Sequence, residues 1–417
     1  MALAQSDALA APRPAHRDGN VLRWLGAYTA ALIGDGVYFV ALGWSARSIA
    51  GPAEVGLVVA IGALPRALLM LVGGVVADRF GPRRVVLGSD ALRCLCVLAV
   101  AGCVAVAGPA MWMLIVAAVV FGVADAVFVP AVGALPPRIT GADQLARVTG
   151  MRSLSMRMGQ IAGPPAGGLA MGLGGPAAAF AAAGLLFAVS LPLLLAMRLR
   201  PLPPHEESRP VPGTARQDLL DGLRYIRRHP LVRPLVLACA TFELGLGGTI
   251  GVGMVLLNDE RGWGPSGYGW IVSAFGAGAA ASAALLAIAG RLPRAGLLLA
   301  CSLGTGCAGA VVIALVPSLP YAVLTAVGMG LSAGIFGSLD NALIQAATAP
   351  AYLGRVTSVV MLAVVGLAPL GYPAMGAAIG AWGVAPTFTG CAAFAALGVA
   401  IALGSRAVRG AELPRGR

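Results

Sequence analysis

Apolar residues run along this chain in long, nearly unbroken stretches separated by short polar ones, with no alternation of wet and dry faces. A helix that is apolar all round is buried in a large core or in lipid. The pattern predicts helices over 21–45, 54–77, 86–107, 110–132, 149–172, 176–198, 231–257, 267–289, 295–315, 320–346, 355–380 and 384–405. Each is about as long as a bilayer crossing of roughly 20 residues requires. The expected fold class is an all-α membrane protein with twelve transmembrane helices in two six-helix halves.

One long polar stretch interrupts the series. Its first part, PLPPHEESRPVPG, is an extended linker, and its second, ARQDLLDGLRYIRRHP, predicts an amphipathic helix with Leu219, Leu223 and Ile226 on one face and arginines on the other. Such a helix suits the lipid surface. The expected division is a cytoplasmic tail over 1–20, a first half over 21–198, a cytoplasmic linker over 199–230, a second half over 231–405 and a cytoplasmic tail over 406–417.

The linker splits the chain nearly in two, and a repeat appears at an offset of 208 residues. Between 147–172 and 355–380, ten of 26 positions are identical, among them Arg147 with Arg355, Gly163 with Gly371, Pro165 with Pro373 and Gly168 with Gly376. The same offset carries Asp35 onto Glu243 and Gly43 onto Gly251. Two parallel copies imply a binding site at their interface near the bilayer midplane.

Composition sharpens this picture. Hydrophobic residues make up 58% of the 417 positions and charged residues 11%, which excludes a soluble globular domain. The net charge of +12 rests on 29 basic residues, all arginine. A nucleic-acid surface is excluded by their placement between apolar runs instead of on one soluble face. With the N-terminus inside, 23 arginines fall on the cytoplasmic side, Arg47 and Arg261 alone fall outside, and Arg66, Arg93, Arg152 and Arg157 lie within spans. That asymmetry supports the count of twelve and an inner-membrane location with both termini cytoplasmic. No apolar signal-peptide core precedes the first span, so that span is expected to be retained. The seven cysteines lie in apolar stretches without metal-ligand spacing, so neither a metal nor a cofactor is expected.

The loop after the second predicted helix reads Gly74-Val75-Val76-Ala77-Asp78-Arg79-Phe80-Gly81-Pro82-Arg83-Arg84. It combines a close-packing glycine, an acid at a helix end, a turn glycine and a basic cluster. This loop resembles the G-x-x-x-D-[RK]-x-G-[RK]-[RK]-[RK] signature of the major facilitator superfamily, with Pro82 in place of one basic residue. The resemblance implies a latch between the halves in which Asp78 meets the start of predicted helix 11 near Arg355; the corresponding second-half loop, Gly290 to Arg294, lacks the acid. Predicted helix 5 carries Gly159, Gly163, Pro164, Gly167 and Gly168 in the pattern G-x-x-x-G-P-x-x-G-G, which resembles that of the drug and metabolite exporters of that superfamily. Small residues and proline there imply a rocking hinge. Further likeness to the siderophore- and macrolide-exporter branch lies at Gly34-Asp35, Pro65-Arg66, Asp90 with Arg93, and Pro350 to Arg355.

Ionisable residues inside spans are costly and mark function or pairing. Asp35, Asp125, Glu243 and Asp340 fall on predicted helices 1, 4, 7 and 10, which line the central cavity in the superfamily this chain resembles. Asp35 is the leading proton carrier, with a structural partnership to a buried arginine as its alternative; Asp340, near a helix end, is expected to be solvated. Arg66 and Arg157 are the cations expected to pair with these acids or with an anionic substrate group, while Asp90 and Arg93, three apart, are expected to satisfy each other. Tyr28, Tyr38, Phe39, Trp44, Phe121, Phe128, Phe242, Trp270, Phe275 and Phe336 are candidate cavity aromatics.

The expected function is proton-coupled efflux of a small hydrophobic or amphipathic compound, such as an antibiotic, secondary metabolite or siderophore, by a monomer with lipid and protons as its other partners. No phosphate-binding loop occurs, and without lysine none of the usual kind is possible. An uptake facilitator for a sugar or metabolite is the first alternative. A membrane-embedded transferase is the second, and its only acidic pair beside a span, Asp259-Glu260, has no histidine near it in sequence.

Overall fold

The computed structural model describes residues 14–199, 215–289 and 294–412. The outermost tail residues, the first part of the linker and the loop residues Gly290 to Pro293 lie outside the described residues. Among the described residues, eleven helices are long and apolar enough to cross a membrane, and one of them, Leu145–Leu195, is two crossings joined at a kink. Gly174 and Gly175 leave helical geometry there, Gly175 with φ +67°, a conformation open to glycine and unfavourable for a side chain. Twelve crossings result.

In chain order they are α1 (Gly19–Ile49), α2 (Pro52–Phe80), α3 (Pro82–Ala107), α4 (Met111–Gly133), α5 (145–173), α6 (176–195), α7 (Val232–Glu260), α8 (Gly264–Ala289), α9 (Ala295–Leu315), α10 (Leu319–Ala347), α11 (Leu353–Trp382) and α12 (Val384–Gly404). The amphipathic linker helix spans Ala215–Arg228. An even number of crossings puts the start of α1 and the end of α12 on one face, called the terminal face below.

Packing repeats with a period of six helices: α2 lies on α4 as α8 lies on α10, and α3 lies against α4 as α9 lies against α10. Glycine makes these approaches close. A Cβ at Gly73 would strike the Ala126 carbonyl of α4, so the backbones touch. Gly74, expected to be the close-packing residue, faces open space; the tight contact falls one residue earlier.

Between α1–α6 and α7–α12, close contacts gather at the face away from the termini. There, α2 meets α11 where Gly376 abuts Pro52 and Gly56 abuts Tyr372, and α5 meets α8 where Gly168 abuts Pro265 and Gly269 abuts Pro164. Ser273 of α8 donates to the Ile161 carbonyl of α5 at 2.7 Å. At the ends of α1 and α7, Arg47 Nε donates to Asp259 at 2.8 Å.

Helix α7 departs from its first-half counterpart. Residues Thr249–Gly253 form a π-turn, closed by the Met254 N–H donating to the Thr249 carbonyl five residues back. The glycine-rich run Gly247-Gly248-Thr249-Ile250-Gly251 leaves room for this wider turn, which packs on Tyr372 of α11 at Gly251.

Candidate functional site

A cavity of about 820 Å³ lies between the two sets of six helices. Tyr28, Tyr38, Phe39, Phe121 and Phe128 line one wall, and Tyr268, Phe275 and Tyr372 line the other. It reaches Tyr28 and Arg152, about two to three turns from the terminal-face ends of α1 and α5. Tyr38 stacks on Phe121 with ring centroids 3.5 Å apart, which fixes both rings on the wall. Of the expected aromatics, Trp44, Phe242, Trp270 and Phe336 are not among the lining residues, whereas Tyr268 and Tyr372 are. Trp270 turns outward and is 55% exposed, as an outer-face aromatic of a lipid-facing helix is.

Beside the first wall lies a buried charge cluster centred on Arg93 of α3, which is fully buried. Its Nη1 donates to Asp35 of α1 at 2.8 Å and to Asp125 of α4 at 3.2 Å, and its Nη2 donates to Asp90 one turn back on α3. The other Asp90 oxygen accepts from Ser190 Oγ of α6 at 2.6 Å. Phe128 and Phe187 face the guanidinium at 4.2 and 4.9 Å, which adds a cation–π component. Arg66 of α2 stands 3.9 Å from Asp125 on the cavity side and is 42% exposed at its side chain. Asp35 and Asp125 also line the cavity, so the cluster touches the space a solute would occupy.

The expectation that Asp90 and Arg93 satisfy each other is too small a description. Arg93 joins three carboxylates from three helices, and sequence reasoning missed that role. The signal was present: Arg93 sits mid-span, immediately before the run Cys94-Leu95-Cys96-Val97, where a buried guanidinium needs partners. Arg157 lines the cavity but donates to Gln160 at 3.1 Å, and it pairs with no acid among the described residues. Arg152, also on the cavity wall, lies 5.8 Å over the Tyr28 ring.

The second half is built differently. Glu243 of α7 lines the cavity with no ion pair among the described residues. Asp340 of α10, expected to be solvated, is buried, with only 4% of its surface exposed, and lies outside the cavity lining. Leu339, Leu343, Phe336 and Cys239 enclose its neighbourhood, because the terminal end of α10 is covered by α7 and α9.

The latch residues are spread over the terminal face. Asp78 and Arg79 are exposed at the end of α2, and Gly81 turns the chain with φ +84°. Asp78 has no ion pair among the described residues, and Arg355 instead stands 4.0 Å from Asp221 of the linker helix. Contact between the two sets lies at the opposite face, which keeps these ends apart. Arg83 caps α6, donating to the carbonyls of Leu194 at 3.3 Å and Leu195 at 2.6 Å, and Arg84 is exposed. The helix 5 motif splits by direction. Gly159, Gly163 and Gly167 receive Leu32, Gly36 and Val37 of α1 in the same set of six, while Gly168 and the Pro164 carbonyl meet α8 of the other.

A family model described as Major Facilitator Superfamily matches residues 24–256. The chain is 30% identical over 377 residues to the multidrug efflux pump Tap of Mycobacterium tuberculosis, covering 86% of each chain. It is 26% identical over 292 residues to the enterobactin exporter EntS of Escherichia coli, covering 69% of this chain and 67% of that one. In fold it is similar to a bacterial homologue of the human lysosomal transporter Spinster, with a TM-score of 0.73, 16% identity and coverage of 92% and 96%. It is similar as well to the nucleoside transporter NupG, with a TM-score of 0.71, 14% identity and coverage of 93% and 98%.

Proposed function

The chain belongs to the Major Facilitator Superfamily and is a multi-pass membrane transporter, not an enzyme, and from that premise we propose that it exports a small amphipathic compound in exchange for protons. Tap and EntS, its relatives, are both exporters by name, and the Gly159 to Gly168 pattern favours the same direction. The membrane is the bacterial inner membrane, with the arginine-rich terminal face cytoplasmic. The cavity then draws solute from the cytoplasm or inner leaflet, and the halves rock to release it outside.

The observation that carries proton coupling is the composition of the Arg93 cluster. Asp35, Asp90 and Asp125 oppose Arg93 and Arg66, so three negative charges face two positive ones. One bound proton makes the cluster neutral. In a low-dielectric site an uncompensated charge is expensive, so the cluster takes up a proton when closed off and gives it up when a solute or water stabilises the free carboxylate. Asp35 is the leading carrier, because it opens onto the cavity and Arg93 is its one ion-pair partner among the described residues, whereas Asp125 also faces Arg66. Asp90 is held by both Arg93 and Ser190 and serves to position the arginine.

The test is Asp35→Asn in proteoliposomes across pH 6 to 8. Uphill efflux and proton release on substrate addition should vanish, while downhill exchange persists; Asp35→Glu should keep partial coupling. Uphill transport by Asp35→Asn with the wild-type pH profile would remove Asp35 from the role and leave Asp125 or Glu243 to fill it.

A further inference from the structure

The linker helix Ala215–Arg228 is docked on one side and bare on the other. Gly222 sits against the Arg355 backbone at the first turn of α11, where a Cβ would come 2.9 Å from the carbonyl oxygen. Tyr225 stacks on Tyr352 with centroids 4.7 Å apart, and its hydroxyl accepts the Ala349 N–H at 3.1 Å. Ile226 is 4% exposed. At 3.6 residues per turn these residues share one face, and the next strip round the helix holds Leu219 and Leu223, followed by Arg227 with Leu220, then Arg224 and Arg228. The three leucines are exposed. Arg224 pairs with Asp221 at 2.7 Å, whereas Arg227 and Arg228 have no ion pair among the described residues.

An apolar strip that runs into a band of arginines, two of them without an ion pair among the described residues, fixed beside the end of a membrane-crossing helix, matches the cross-section of a bilayer surface: acyl chain first, phosphate next. We propose that this helix binds anionic phospholipid headgroups through Arg227 and Arg228 with Leu219, Leu220 and Leu223 in the acyl boundary, and that bound lipid braces the start of α11. The inference rests on the transporter reading only for its membrane setting. It does not need the direction of transport or the proton. A neutral zwitterionic headgroup lacks the net charge to favour this site; the relevant chemistry is a net negative phosphodiester.

The test uses the full chain in nanodiscs of phosphatidylcholine with or without one quarter phosphatidylglycerol. Two readouts are lipid retention by native mass spectrometry and amide exchange over residues 353–362. Wild type should retain phosphatidylglycerol selectively and protect 353–362 more in its presence. Arg227→Ser with Arg228→Ser should weaken retention about thirtyfold, taking the usual contribution of two surface arginines, and should abolish the lipid dependence of exchange. Both side chains are exposed, so folding is spared, and Arg227→Lys with Arg228→Lys should behave as wild type. Equal retention by the serine variant, or exchange over 353–362 that ignores lipid charge in the wild type, would overturn the proposal.

Discussion

Replacing Asp259 by arginine turns the ion pair that joins the outer ends of α1 and α7 into two like charges. The Arg47 and Asp259 side chains are 32% and 34% exposed and 2.8 Å apart. Arg47 Nη1 also donates to the Ala50 carbonyl at 3.1 Å, so the guanidinium is held in place before the acid arrives. Solvent screens such a pair to about 0.2 to 1 kcal/mol, and reversing one partner swaps attraction for repulsion of similar size. The swing is roughly 0.4 to 2 kcal/mol, or about a two- to thirtyfold shift in the ratio of outer-closed to outer-open molecules. Spin labels at the exposed residues Ile49 and Glu260 read that ratio as a distance distribution. Asp259→Arg and Arg47→Asp should each populate longer distances and lower transport, and the double reversal should return both to near wild type. Unchanged distances in either single reversal would show that the pair is an ornament of the loop ends and that glycine packing alone closes this face.

Arg93→Met should cost about 3 to 5 kcal/mol of stability, because three buried carboxylates lose their shared cation; thermal unfolding in detergent checks this, and a wild-type midpoint would refute the hub role. Gly269→Val places a side chain where a Cβ is already 2.7 Å from the Pro164 carbonyl, so it should hold α8 off α5 and lengthen the same label distances without loss of fold. Gly163→Leu meets Gly36 inside one set of six helices, so it should lower the unfolding temperature, a different signature from Gly269→Val. Asp78→Asn should leave stability unchanged, since Asp78 is exposed here; if the proposed latch engages it when the terminal face closes, transport at equal protein level should fall.

The twelve crossings were legible because bilayer thickness imposes a length on apolar runs. The kink at Gly174-Gly175 and the boundary after Ala107 follow from residues whose backbone preferences are strong. The site was legible in part. Asp35, Asp125, Glu243 and Arg66 were marked by the cost of charge in lipid, and all four line the cavity. Arg93 was hidden because its partners are 58 and 32 residues away in sequence, and intrahelical spacing supplied a sufficient partner in Asp90. Asp340 was misplaced for a related reason: distance from a helix end measures depth along the axis and says nothing about which neighbours cover that end. The helix 5 glycines were identified as contact residues, yet spacing alone does not divide Gly163, facing α1, from Gly168, facing α8.

The π-turn in α7 makes the two halves mechanically unequal. One surplus residue in a helix is a line defect, comparable to a dislocation in a crystal: it advances when each five-residue hydrogen bond is exchanged for a four-residue one at its rear and re-formed at its front. Helix α1, the copy of α7, is a continuous α-helix through the corresponding positions. Asp35 and Arg47 are therefore ends of one stiff rod, and a pull on the outer ion pair is delivered to the charge cluster intact. Glu243 and Asp259 lie on either side of the defect, so the outer end of α7 can swivel while its cavity carboxylate stays still. By this reasoning α1 is built as a lever and α7 as a jointed rod, and a single-residue deletion within Thr249–Gly253 should convert the joint into a second lever.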